Sequence, residues 1–462
     1  MNAFELGPGR LATTRRLRHR LYQRLLESDS RLVGVLLAEW SDPIARGGVL
    51  LLVNTAITGV LGLVYWLTAA RLFPQAAVGR AAALVSAATL LAMVGQLNLS
   101  GMLMRFLPQA GARSRHLVLV TYAIACAASL LLAVLAGLGV GFLTGPNSPL
   151  RLSALDGAIF AASVVATVVF TLQDSVLIAV RRTGWIPIEN GGFGVVKIVM
   201  LVALAGFSGW GAIFASWMLP LAATLPLITW LLFGWLLPRR THEQPLAPIR
   251  SGTKRQIRSF VYGDASAGVF QQTWTYMLPV IVAGALGAKQ NAIFYAAFLF
   301  SSTLDQIAVN YSSPLVVEGA RDESALPVLV KAAIRRIYIV LVPPVLLFTF
   351  AGGLVLHAYG PSYAAGATAL CLLSLSCLPK ALLFVYYGVC RVQRKTHRSA
   401  VIQGASCAAI LAGALLLSHH GLAAICAVVL SVQVIGALVA APRLARCARG
   451  SGALQRGVPD VQ

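Results

Sequence analysis

A chain of 462 residues that is 58% hydrophobic and only 11% charged, with a mean hydropathy of +0.78, is composed for lipid, since a soluble domain carries roughly 25% charged residues. Its formal net charge of +22 does not mark a nucleic-acid-binding protein, because the lysines and arginines fall between long apolar runs, as loop charges of a membrane protein do. The seven cysteines form no CxxC pair and no metal-ligand set of histidines accompanies them, which argues against zinc or a disulfide framework. No cofactor is implied.

The first 46 residues are polar and basic, without the apolar core of a cleavable signal peptide. Within 10–26, Leu17, Leu21 and Leu25 recur at fourfold spacing among arginines, so this segment is either an interfacial helix on anionic headgroups or a solvated basic tail. A spanning helix needs about 20 mostly apolar residues, and twelve such runs follow: 47–70, 78–98, 117–143, 153–180, 193–208, 210–237, 260–286, 291–317, 333–357, 363–390, 398–418 and 421–441. The predicted fold class is thus an all-α polytopic membrane protein. It divides into a basic N-terminal segment (1–46), a first lobe of six spans (47–237), a basic linker (238–259), a second lobe of six spans (260–441) and a basic tail (442–462).

Of the 37 lysines and arginines, 31 fall in alternate connections that begin with the N-terminal segment and end with the C-terminal tail. The positive-inside rule then places both termini in the cytoplasm. The stretch 72–83 aligns with 286–297 at an offset of 214, which also carries the third and fourth spans onto the ninth and tenth. Six spans per half means both halves enter the membrane from the same side. That is a parallel repeat, with substrate expected between the lobes and alternating access by their rocking.

The segment 260–318 is the most polar of the spans. In its first span Asp264, Gly268, Gln271 and Thr275 fall on one helical face, and in its second Ser302, Gln306, Asn310 and Ser313 do, with Asp305 at the edge. The first lobe repeats the pattern with Asn54, Thr58 and Tyr65, then Ser86, Thr89, Gln96 and Ser100. Such stripes line a wet cavity or act as interhelical hydrogen bonds. Asp305, in mid-span, is read as a proton or cation site, a substrate contact or a partner of Lys380. Asp264, about 6 Å into its span, is either a cavity group or one that pairs with Arg258 or snorkels to the cytoplasmic interface. Lys380 follows Pro379 in the tenth span and is positioned to meet a phosphate or Asp305. Lys197 is expected to snorkel to the cytoplasmic surface, and Asp156 and Asp174 to serve structure near helix ends.

The run 54–108, the sequence LPVIVAGALGAKQNAIFYAAF with the later VEGA at 317–320, and YGPSY at 359–363 with LPK at 378–380 resemble bacterial polysaccharide-export flippases. These are the oligosaccharide-lipid (Wzx-type) branch of the MOP superfamily. The resemblance covers nearly all of 47–441. It implies twelve to fourteen helices and a cationic or polar central cavity with residues on the first, second, seventh and eighth spans. It also implies movement of undecaprenyl-pyrophosphate-linked glycans from the cytoplasmic to the outer leaflet of the bacterial inner membrane, with H+ or Na+ as coupling ion. The lipid-linked oligosaccharide and membrane lipids are then the partners, and nucleic acid is not. A departure from the pattern is the scarcity of deep basic residues, Lys380 being the main one.

The alternative within transport is a drug or cation antiporter of the same superfamily, for which Asp264 and Asp305 would be cation sites. A glycan polymerase or ligase would be expected to present a sizeable outer loop with catalytic Arg, His or carboxylates. Here the predicted outer loops are short, and their histidines, His357, His419 and His420, have no accompanying base–nucleophile pair. The chain is accordingly read as a transporter rather than an enzyme.

Overall fold

The computed structural model describes residues 43–143, 148, 150–180, 182–207, 209–236, 265–393 and 395–449. Asp264 and the basic segments 1–42, 237–264 and 450–462 lie outside them.

Thirteen α-helices are described: α1 (Pro43–Leu72), α2 (Gln75–Gly95), the short α3 (Leu99–Phe106), α4 (Ser114–Leu143), α5 (Ala154–Ala179), α6 (Trp185–Ala203) and α7 (Trp210–Trp230), then α8 (Ala265–Leu286), α9 (Ala288–Arg321), α10 (Leu326–His357), α11 (Ala367–Val392), α12 (Thr396–Leu416) and α13 (Leu422–Arg449). Twelve are long, and eleven of those are long and apolar enough to cross a membrane. The exception, α8, owes its lower hydropathy to Gln271, Gln272, Thr273 and Thr275. All twelve fall on the twelve apolar runs of the sequence.

The largest boundary differences are at α6, which starts at Trp185 and not at 193, and at α13, which runs on to Arg449 and not to 441. Glu189, Asn190, Gly191 and Gly192 have the composition of a loop, yet all are helical, with Glu189 and Asn190 buried. Interior prolines at 220, 226, 279, 343, 344 and 379 are accommodated within α7, α8, α10 and α11. In α10 the helical dihedrals break at Ala351 (φ −111°, ψ 15°), about two turns beyond its proline pair.

The helices form two six-helix groups, with α3 a short addition to the first. One apolar core belongs to the first group, around Leu84, Val164, Leu172, Leu177 and Ile228. A second belongs to the other group, around Leu304, Ile337, Leu341, Leu383 and Val385. A third joins the groups, with Tyr65, Trp66 and Ile213 against Leu278, Phe294 and Leu370. Outward faces carry exposed Leu131, Leu135 and Leu138 on α4, and Phe350 and Leu354 on α10. Contiguous exposed apolar surface of this kind suits lipid and not water.

Because the long helices alternate in direction, their connections collect at two ends. One end carries the turns α1–α2, α8–α9, α10–α11 and α12–α13. The opposite end carries α5–α6, α9–α10 and α11–α12. At the first end the equivalent hairpins meet: α8 passes to α9 through Gly287 at φ +85°, a left-handed conformation that a β-carbon disfavours. This end is closed between the groups and is called the sealed end below; the other is the open end.

Candidate functional site

At the open end, α2, α8, α11 and α12 part around a cavity of about 370 Å³. Its apolar rim is Leu90, Met93, Val94 and Val269. Its polar lining is Gln96 and Asn98 from the end of α2, Gln272 and Thr273 from α8, Thr396, Ser399 and Gln403 from α12, and Arg391 from α11. No carboxylate is among these residues. The backbone leaves α2 through two left-handed residues, Leu97 (φ 51°) and Asn98 (φ 58°). Asn tolerates that conformation and Leu does not, at a cost of about 1–2 kcal/mol. The turn ends α2 beside the cavity, so that Gln96 and Asn98 both reach it. Gln96 also donates from Nε2 to Thr171 Oγ1 on α5 at 3.1 Å, which fixes its amide from behind.

Cavity and seal stand at opposite ends. Asn291 Nδ2 donates to the Gly79 carbonyl at 2.7 Å, with both residues buried. Arg71 donates from Nε to the Ala358 carbonyl at 2.7 Å and from Nη2 to that of His357 at 3.5 Å. Trp66 and Tyr295 bring their ring centroids to 4.7 Å in an edge-on contact. All three contacts join the first group to the second.

Of the residues singled out in the sequence, Gln96 and Gly268 line the cavity. The polar side chains that α8 gives the lining are Gln272 and Thr273; Gln271 is half-buried and its carbonyl accepts from Thr275 Oγ1 at 2.7 Å. On α9, Gln306 is exposed and Asn310 half-buried, and neither lines it. Thr58 donates from Oγ1 to the Asn54 carbonyl at 2.8 Å, and the buried Asn54 Oδ1 has no hydrogen-bond partner.

Asp305 and Lys380 come together inside the second group. Lys380 Nζ donates to Asp305 Oδ2 at 2.7 Å, with the lysine side chain 4% and the aspartate 19% exposed. The Trp274 ring lies 5.2 Å from the same ammonium, and Asp305 Oδ1 is buried without a partner.

Lys197 differs from its expectation. It stands twelve residues into α6, about 18 Å along the axis, too deep to snorkel to the open end. It is buried, with its ammonium 3.8 Å from the centroid of Trp217, 5.0 Å from Tyr65 and 5.2 Å from Phe193. Three ring faces supply the negative potential that a carboxylate otherwise would.

Asp156 caps α5 together with Ser153, whose Oγ accepts from the Asp156 amide and donates to its carboxylate. Asp174 stands five residues before the end of α5 and accepts from Asn190 Nδ2 at 3.3 Å. Beside it, Glu189 is buried with both carboxylate oxygens unpartnered, and the buried Tyr122 hydroxyl is unpartnered as well. Glu189 was missed in the sequence because it sits among residues that read as a loop. The cavity residues of α12 were missed because nothing local in 396–403 says which helices it meets.

The chain is similar in structure to an inward-facing conformation of a multidrug resistance MATE family transporter of the MOP superfamily, with a TM-score of 0.61 at 14% identity, over 87% of this chain and 99% of that one. It is similar to an outward-facing conformation of such a transporter with a TM-score of 0.56 at 14% identity, over 88% and 96%. A MOP superfamily transporter from Pyrococcus furiosus, described by the reverse polarity of its binding pocket and a suggested different function, aligns with a TM-score of 0.54 at 14% identity, over 88% and 96%. No protein-family model and no curated protein matches the sequence. The fold is that of the MOP superfamily transporters: a multi-pass helical membrane protein of two six-helix lobes.

Proposed function

We propose that this chain is an alternating-access flippase. It moves a lipid-linked oligosaccharide of the undecaprenyl-pyrophosphate type from the cytoplasmic to the outer leaflet of the bacterial inner membrane, for surface polysaccharide biosynthesis. The observation that carries the reading is the polar part of the interlobe cavity's lining: amides, hydroxyls and one arginine, with no carboxylate. Glycan hydroxyls exchange hydrogen bonds with Gln96, Asn98, Gln272 and Gln403, and Arg391 suits a pyrophosphate, whose oxygens its planar fork matches. A site selecting organic cations would instead need an acid, and the deep acid Asp305 is engaged by Lys380. With the termini in the cytoplasm, as the loop charges imply, the open end faces the cytoplasm and the conformation is loading-competent.

A drug or cation antiporter is the second reading, and Glu189 is the observation that favours it. A buried carboxyl with no donor stays uncharged or takes up a cation, and it stands beside Asp174. Deleting the gene separates the two readings. The flippase predicts loss of surface glycan and accumulation of the lipid-linked precursor inside. Intact surface glycan together with raised sensitivity to cationic drugs would overturn it in favour of the antiporter.

A further inference from the structure

At the open end of the second lobe, the ends of α11, α12 and α13 enclose another cavity, of about 240 Å³, that shares no lining residue with the interlobe cavity. Four cations line it: Lys395 and Arg398 at the start of α12, and Arg443 and Arg446 near the end of α13. None of its lining residues is acidic. Exposed Glu323 acts electrostatically on Cys447, one of the lining residues, from outside the lining. Arg443 Nη1 donates to Tyr386 Oη at 3.3 Å, which spends one of its five donors and holds the guanidinium at the cavity. Four like charges around one small space repel each other, and an anion in the space removes that cost.

The helix faces that lead to the cavity identify the anion. On α13 the exposed residues Ile435, Leu438 and Val439 are followed by exposed Arg443 and Arg446. Steps of four, four and three residues from 435 through 439 and 443 to 446 keep these on one face. On α12 exposed Val401 lies three residues from exposed Arg398. An apolar stripe running into paired arginines at the end of a spanning helix matches acyl chains below and a phosphate at headgroup depth.

We propose that this cavity binds the phosphate of an anionic phospholipid, with Arg398 and Arg443 forking its oxygens and the acyl chains lying along the stripes of α12 and α13. A free phosphate shares the chemistry of the charged cavity but has no use for the stripes.

The test uses the full chain, purified in a neutral detergent, and dioctanoyl-phosphatidylglycerol as probe. Three proteins are compared: wild type, Arg398→Gln/Arg443→Gln, and Arg335→Gln/Arg336→Gln. The last loses the same charge from exposed arginines on α10 that do not line the cavity. The cavity variant is expected to bind the lipid about thirtyfold more weakly, and the α10 variant to stay within about twofold of wild type. Dioctanoyl-phosphatidylcholine and inorganic phosphate at the same concentrations should compete poorly. Equal losses in both variants would reduce the site to diffuse surface charge. Competition by inorganic phosphate as strong as that by the lipid would assign a soluble anion instead. Either result overturns the proposal. If the double variant does not fold, Arg443→Lys gives the readout, since it keeps the charge and loses the fork. Wild-type affinity in that protein would equally overturn the proposal.

Discussion

Asn291 donates its side-chain amide to the main-chain carbonyl of Gly79, and so ties the first turn of α9 to α2 across the boundary between the lobes. The contact depends on the absence of a side chain at 79. A β-carbon there would lie 1.7 Å from the Ala288 carbonyl oxygen and 2.8 Å from the Ala292 amide nitrogen, and both obstacles are backbone. The two hairpins that the sequence repeat relates, 72–83 and 286–297, meet each other at this point. The seal is therefore made by equivalent parts of the two lobes.

Gly79→Val is expected to force the sealed end apart, because neither helix can retreat without moving its lobe. Spin labels at Leu72 and Lys289, both exposed at that end, should report a longer mean distance in the variant. Asn291→Ala removes the bond without adding bulk and should shift the distance less. An unchanged distance distribution in Gly79→Val would mean that this contact does not hold the end closed.

Much of the architecture could be read from the sequence because lipid imposes simple rules. Bilayer thickness dictates span length, so twelve runs became twelve long helices, and the offset of 214 brought out the hairpins that meet at Gly79 and Asn291. The site was less legible, and the reason is angular. Neighbouring residues on a helix point about 100° apart, so Gln271 and Gln272 look alike in a list of polar residues while only Gln272 reaches the cavity. Thr396, Ser399 and Gln403 belong to the site through the packing of α12 against α8, which no local pattern encodes. Lys197 was misplaced because its aromatic surroundings come from α1 and α7 as well as α6.

The Asp305–Lys380 pair predicts an asymmetric response to its two single substitutions. Asp305→Asn leaves an ammonium that is 4% exposed without its counter-charge, and breaking a buried pair typically costs about 3–5 kcal/mol. Lys380→Gln leaves the aspartate, whose greater exposure lets water take part of the load, so its loss should be smaller. The double variant should recover stability relative to Asp305→Asn. Thermal unfolding in detergent measures all three. If Asp305→Asn unfolds like wild type but no longer transports, the carboxylate acts in coupling and not in structure.

Lys197 should tolerate the loss of its charge. Lys197→Met keeps an unbranched chain among the rings of Trp217, Tyr65 and Phe193 and removes the desolvation of an ammonium. Cation–π attraction of about 0.5–2 kcal/mol is given up in exchange. The expected unfolding temperature is close to that of wild type, whereas Lys197→Glu places an anion against three negative ring faces and should fold poorly. A large destabilisation in Lys197→Met would show that the charge itself holds the first lobe together.

The cavity lining makes the most direct functional prediction. Gln272→Ala and Gln403→Ala each remove a neutral hydrogen-bonding group from the interlobe cavity while leaving the apolar cores untouched. A hydrogen bond of this kind is worth about 0.5–1.5 kcal/mol, so each substitution should lower transport roughly two- to tenfold. Losses from the pair should add if the two amides, on different helices, hold different parts of the substrate. Gln306→Ala is the matched control, since it is the same chemical change at an exposed position outside the lining. Surface glycan per cell, normalised to protein level in the membrane, is the measurement. Equal effects at Gln272, Gln403 and Gln306 would mean that the cavity is not where the substrate is held.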